Sequence, residues 1–190
     1  MVRLFVIDTE TGGLNPDVHA LLEVAALAVD VWPDGNIGMV GKPFSQRIVA
    51  DWTNGTVDPE AAQVNGFDPD TWGGIGVCPA IRSFAEWCDD HKPDSGKALW
   101  CGANVSFDRA FLRCAFDQCK QTWPDSISHR SVDVQSLAFP LYACGKIEGV
   151  GMRHLRKAFS ISDASAHEAM GDVLDTVLVL RELLAGGDSR

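Results

Sequence analysis

The chain has 190 residues and a mass of 20.5 kDa, the size of one ordinary domain. With 46% hydrophobic and 22% charged residues it reads as a globular fold with a real core, and no apolar run approaches a membrane span. Its 16 basic and 26 acidic side chains leave a net charge of −10, which disfavours a tight non-specific coat on nucleic acid but leaves room for a small site neutralised by metal ions.

In chain order, Leu4 to Ile7 is a short apolar β-type run closed by Asp8 and then Gly12-Gly13. The run is too short for a signal peptide and meets an acid at once, so the expected location is cytoplasmic. Leu21 to Trp32 is a second apolar stretch ending in the turn signal Pro33-Asp34-Gly35, and a third strand is expected around Pro43 to Val49. Strand, turn, strand, turn, strand predicts an antiparallel meander. Asp58-Pro59-Glu60 has the form of an N-cap with proline at the first helical position. Ile81, Phe84, Ala85 and Cys88 place an apolar stripe on a helix from Pro79 to Asp90.

Lys97 to Ala103 reads as a buried strand, and Phe107, Ala110, Phe111, Cys114 and Ala115 as the stripe of the helix after it. Ser131 to Val134 is expected to be a fifth strand leading into a helix near Ser136 to Tyr142. Met152, Leu155 and Phe159 mark another helix, and Met170, Leu174, Val177 and Leu178 the last. The whole predicts a single α/β domain, residues 1–190, with a mixed sheet flanked by helices and its first three strands antiparallel. The six cysteines lack a C-x-x-C pair, which predicts no zinc site and, without an export signal, no disulfide framework.

The informative residues are acids. Asp8 and Glu10 lie two apart at the end of the first strand, so in extended backbone both point to one side. They are either a solvated strand end or a pair that needs a cation between them. Asp108 follows the Lys97 to Ala103 strand in Asn104-Val105-Ser106-Phe107-Asp108, where an acid in a helix's first turn is also favoured electrostatically. His167-Glu168-Ala169-Met170-Gly171-Asp172 opens the last helix. If that helix began near Ala166, as the capping-box pattern Ser165 to Glu168 suggests, His167 and Asp172 would lie about 140° apart on it. A start nearer Glu168 leaves His167 on the entry segment, able to reach over Asp172, and is the start expected here.

Taken together, Asp8-Thr9-Glu10-Thr11-Gly12, Asn104 to Asp108 and His167 to Asp172 resemble the three motifs of the DEDDh (DnaQ-like) 3′–5′ exonucleases. Within that family, Ala20 to Ala26, Pro59-Glu60-Ala61 and Asn65 to Pro69 are similar to stretches of the ribonuclease T subgroup. The resemblance implies a ribonuclease-H-like sheet and metal-dependent 3′–5′ cleavage of single-stranded RNA or DNA ends into nucleoside 5′-monophosphates. It implies that two Mg²⁺ or Mn²⁺ ions are held by Asp8, Glu10, Asp108 and Asp172, with Asp8 bridging both. Oxygen-only donors suit such hard ions, and the four carboxylates are expected to converge without lysine or arginine partners.

His167 would be the general base, its unperturbed pKa near 6.5 suiting neutral pH. Thr11, Gly12, Gly13, Leu14, Asn104 and Phe107 would form the substrate-binding set, with Leu14 a wedge beside the terminal base and Phe107 either stacked near it or in the core. Asn104 reads equally as a turn residue. Glu23 would touch sugar or support the site. Arg153, His154, Arg156 and Lys157 read as a phosphate contact or a solvated helix face. A homodimer is a further expectation from the subgroup. Two other readings remain: a proofreading exonuclease subunit within a polymerase complex, and a non-catalytic nucleic-acid-binding module of the same fold.

Overall fold

The computed structural model describes residues 1–51, 54–162 and 168–186. Among these, one sheet has the strand order β3-β2-β1-β4-β5, built from β1 (Val2–Thr11), β2 (Leu21–Val31), β3 (Ile37–Arg47), β4 (Ala98–Gly102) and β5 (Ile127–Asp133). β1, β2 and β3 form an antiparallel meander, whereas β4 runs parallel to β1 and β5 parallel to β4. Around the sheet lie α1 (Pro59–Asn65), α2 (Val77–Asp90), α3 (Val105–Gln118), α4 (Val134–Ala143), α5 (Met152–Ala158) and α6 (Ala169–Leu184). This is the expected mixed, helix-flanked sheet with an antiparallel start. Among the described residues, no helix is long and apolar enough to cross a membrane.

The two-residue period of β1 divides the core. Phe5 and Ile7 pack with Ile81, Phe84, Phe111 and Leu112 of α2 and α3. Leu4 and Val6 pack with Ala138, Leu155, Val173 and Val177 of α4, α5 and α6 on the opposite face. β1 and β2 are buried along nearly their whole length, so both read as continuous apolar runs.

Three expectations need correction. The third strand starts at Ile37 rather than Pro43; among the described residues it lies at the sheet edge, paired with β2, and it alternates between half-buried and exposed positions, so it carries no apolar run to reveal it. On α6 the expected stripe is offset: Leu174 and Leu178 are exposed, and the face on the sheet is Ala169, Val173, Val177 and Leu180. The cysteines are not all free. Cys78, at the start of α2, is bonded to Cys119, which caps the C-terminus of α3, with their Cα atoms 5.3 Å apart. The pairing is made by the packing of α2 on α3, which spacing along the chain does not encode.

The bridge joins residues 41 apart in sequence. Loop-closure entropy assigns such a link about 2–4 kcal/mol of stability. Thermal unfolding with and without dithiothreitol is therefore expected to show a clear drop in Tm on reduction, and the Cys78→Ser variant should melt at the reduced temperature in either buffer. An unchanged Tm would mean that the bond does not form in solution.

Candidate active site

The alternation of β1 continues past its apolar part. After Leu4 and Val6, Asp8 and Glu10 fall on the α6 face, and Thr9 falls on the α3 face between them. The first turn of α6 brings Asp172 to the same corner, and one carboxylate oxygen from each of Asp8, Glu10 and Asp172 lies within 4.8 Å of the others. Asp108, in the first turn of α3, is buried on the far side of the strand and accepts from the Thr9 backbone N–H at 3.0 Å and the Thr9 hydroxyl at 2.8 Å. The four acids named from the sequence therefore gather around the end of β1. A register shift between Glu10 and Thr11 marks where the strand leaves regular pairing with β2, a common device beside active sites.

Proximity and burial set the electrostatics. Burial raises the Asp8 carboxyl well above its usual range, with Asp108, Asp172 and Glu10 adding to the rise and Arg156 opposing it. Burial, then Asp172, Glu23 and Asp108, pushes Glu10 up to about 8. Burial pushes Asp108 up to about 7, while the hydrogen bonds from Thr9 pull the other way. A cluster in this condition is neutralised by protons or by a cation. Its ligands are all carboxylate oxygens, so the donor set fits a hard divalent ion.

The acids form the wall between two clefts. Asp8 and Asp172 line one of about 720 Å³ together with Gln135, Arg153, Arg156 and Lys157. Glu10 lines the other, of about 360 Å³, with Thr11, Gly13, Leu14, Glu60 and Phe107. Leu14 is 84% exposed at this rim, whereas Phe107 serves two purposes, facing the cleft while packing on Phe111 with ring centres 5.0 Å apart. α1 forms the opposite wall, tied to the end of β1 by the Asp58 N–H on the Gly12 carbonyl at 2.7 Å and the Asn65 side chain on the Thr11 carbonyl at 3.0 Å.

Gly12 and Gly13 are small for an internal reason: a Cβ on Gly12 would stand 2.3 Å from the Thr56 carbonyl oxygen, and one on Gly13 2.7 Å from the His19 ring. Asn104 lies outside both cleft linings; it is an exposed residue in left-handed conformation (φ 58°) that starts α3, the turn role that the sequence also allowed. α6 begins at Ala169, with Glu168 in extended conformation before it, the later of the two starts considered. His167 lies outside the described residues.

The carboxylates do not converge alone, contrary to expectation. Arg156 turns inward from α5 and donates to Asp172, and to Asp175 at 2.6 Å, with only 11% of its side chain exposed. Arg156 is thus set apart from the other basic residues of α5: Arg153, His154 and Lys157 are exposed, Lys157 pairing with Glu148 at 2.8 Å and His154 packing on Gly149. Glu23 stands opposite Glu10 across the β1–β2 pair, accepts from Ser45 at 3.1 Å and faces Arg47 at 3.6 Å, so it supports the corner from the sheet side. Asp133 was not singled out. One of its oxygens accepts from Gln135 and Ser136 to cap α4, and the other accepts from the Val105 N–H, which fixes the start of the helix carrying Asp108. An aspartate directly before a helical pattern was the available signal.

The sequence model of the RNase T type of exonuclease matches residues 5–180. This chain belongs to that exonuclease family. It is a 3′–5′ exonuclease, a phosphodiester hydrolase of the DEDDh type. It is 27% identical to ribonuclease T of Pectobacterium atrosepticum, over 94% of this chain and 80% of that one. Ribonuclease T of Citrobacter koseri is 26% identical, over 94% and 83%.

Among solved structures, E. coli exonuclease I in complex with a dT13 oligonucleotide superposes with a TM-score of 0.77 at 20% identity, over 95% of this chain and 40% of that one. The zinc-bound form of the E. coli exonuclease I–ssDNA complex gives 0.78 at 21%, over 100% and 42%. The chain thus spans about two fifths of the exonuclease I chains whose fold it shares.

The raised acids carry a consequence for the metal-free protein. Its folded state holds protons on Glu10 and Asp108 that the unfolded chain, with usual values of 4.5 and 3.8, has already released. Their contribution to stability is full below those values and is lost as pH climbs through about 7 for Asp108 and about 8 for Glu10. Urea unfolding in EDTA is expected to show stability falling between about pH 5 and pH 8, with added Mn²⁺ reversing the loss. Stability that rises over this interval in EDTA would contradict the assignment.

Proposed function

We propose that residues 1–190 form a single, cytoplasmic exonuclease domain that removes nucleoside 5′-monophosphates from the 3′ ends of single-stranded RNA or DNA, using two Mg²⁺ or Mn²⁺ ions. The observation that carries this reading is the meeting of Asp8, Glu10 and Asp172 within 4.8 Å at the end of β1, on the wall between two clefts. Asp8, Glu10, Asp108 and Asp172 hold the cations, Asp108 from its place on Thr9 across the strand. When bound there, the ions polarise the phosphate and offset charge on the attacking and departing oxygens.

The remaining parts are the chain's own. His167 takes a proton from the attacking water at an imidazole nitrogen; the water oxygen bonds to phosphorus, the bond from phosphorus to O3′ breaks, and O3′ takes a proton from solvent, so that the shortened chain ends in a 3′-hydroxyl. The terminal base lies in the smaller cleft between Leu14 and Phe107, where no lining residue among the described ones is cationic and apolar side chains are available. Thr11 and Gly13 border the sugar. Arg153 and Lys157, on the wall of the larger cleft, receive phosphate. Gly12 and Asn104 act as supports, holding the ends of β1 and β4. The proposal includes a homodimer, for which Leu137, Phe139 and Tyr142 of α4 offer exposed apolar side chains.

Incubation of the purified protein with 3′-labelled oligonucleotide and Mn²⁺ is expected to release labelled mononucleotide. Asp8→Asn and Asp172→Asn should abolish release, and His167→Ala should retain slow cleavage, about 10²–10⁴-fold below the parent. A parent protein that binds the oligonucleotide and releases nothing overturns the reading; a fully active His167→Ala overturns the assignment of the base. Matched RNA and DNA oligomers run side by side decide between the two substrates.

A further inference from the structure

Arg156 holds a position unlike that of its neighbours on α5. Its guanidinium is almost enclosed and lies on the wall of the larger cleft beside Asp8 and Asp172. Nε donates to Asp175 Oδ2 at 2.6 Å and Nη2 donates to Asp172 Oδ1. Asp172 and Asp175 are three apart on α6, so one planar guanidinium reaches both. Asp172 is therefore claimed twice: it belongs to the trio within 4.8 Å that suits a metal ion, and it is the anchor of an arginine.

A guanidinium hydrogen-bonded to a ligand carboxylate competes with a divalent ion for the same electron pairs and repels it by like charge. Asp175, with 10% of its side chain exposed, gives the guanidinium a second partner. An arginine leaving Asp172 is therefore not left as an unpaired charge in a nearly dry place.

We propose that Arg156 is a placeholder cation, which neutralises Asp172 in the metal-free enzyme, yields it to the incoming divalent ion, and stays tethered by Asp175 during the exchange. This rests on the reading of Asp8, Glu10 and Asp172 as the metal site. It makes Arg156 a positioning residue with a distinctive sign: it weakens metal uptake, whereas a clamp that merely presented Asp172 to the metal would strengthen it.

Calorimetric titration of the full chain with Mn²⁺ alone, without substrate, separates the two. Arg156→Gln is expected to bind Mn²⁺ about tenfold more tightly than the parent, the size of one partly buried charge contact, while Asp175→Asn binds more weakly because the arginine then rests on Asp172 alone. Arg153→Gln removes an exposed cation from the same cleft, and should shift affinity by less than about twofold. If Arg156→Gln does not fold, Arg156→Lys keeps the charge without spanning both acids and is expected to bind about threefold more tightly.

Unchanged or weaker binding by the folded Arg156 variant overturns the placeholder, as does an equal gain from Arg153→Gln. A parent that takes up no Mn²⁺, or an Asp8→Asn variant that takes it up undiminished, overturns the metal site itself and the placeholder with it.

Discussion

Buried like charge is the constraint around which this molecule is arranged. Asp8, Glu10 and Asp172 present oxygens within 4.8 Å of one another in a corner where burial alone already disfavours the ionised form. Left to themselves such groups move apart or take up protons. They stay because each is fixed by an element that has no freedom to yield. Leu4 to Ile7 of β1 are at most 3% exposed and packed on both faces, so the strand that delivers Asp8 and Glu10 is anchored in the core just before it reaches them. Asp172 rides on a 16-residue helix whose apolar face, from Ala169 to Leu180, is pressed on that same strand and its neighbour β2.

The surroundings resolve the repulsion in different ways for different acids, and this divides them by role. Asp108 has its oxygen capped by two donors from Thr9, which hold it in place across the strand from the trio. Glu23 shares the sheet end with Glu10 but has Ser45 and Arg47 on its other side. Asp172 has Arg156. Among the described residues Asp8 and Glu10 receive no such direct ion pair, and burial and neighbouring acids push both carboxyls upward. The acids least compensated by the protein are the ones best placed for an external cation.

Which of these features the sequence reveals follows from their range. The pairing of Asp8 with Glu10 is legible because a two-residue period is a local property of extended chain, and the late start of α6 follows from a local conflict of angles at His167 and Asp172. The strand order is partly legible, since short connections force the meander of β1, β2 and β3. Three features depend on contacts between distant segments and leave no local mark. The partnership of Arg156 with α6 is hidden in a run, Arg153 to Lys157, that reads as any solvated helix face. The bond between Cys78 and Cys119 exists because α2 lies on α3. The exposure of Leu174 and Leu178 reflects how far α6 is rotated on the sheet, which four apolar residues at helical spacing do not fix.

The net charge of −10 and the proposed polyanionic substrate are reconciled by where the few cations lie. The larger cleft has Arg153, Arg156 and Lys157 on its wall, whereas the smaller has Leu14, Ala61, Val64 and Phe107 with acids at its rim and, among the described residues, no cation in its lining. The smaller cleft therefore suits the uncharged base and sugar of a terminal nucleotide, and the larger one the phosphates. At physiological salt, charges more than about 8 Å away are largely screened, so the acidic bulk of the chain opposes long contact with a strand more than it opposes a few phosphates held at close range. On the proposed function, a surface of this kind would select for ends: only where a strand stops would a base be available to enter the apolar cleft while its phosphate reached the cationic wall beside the acids.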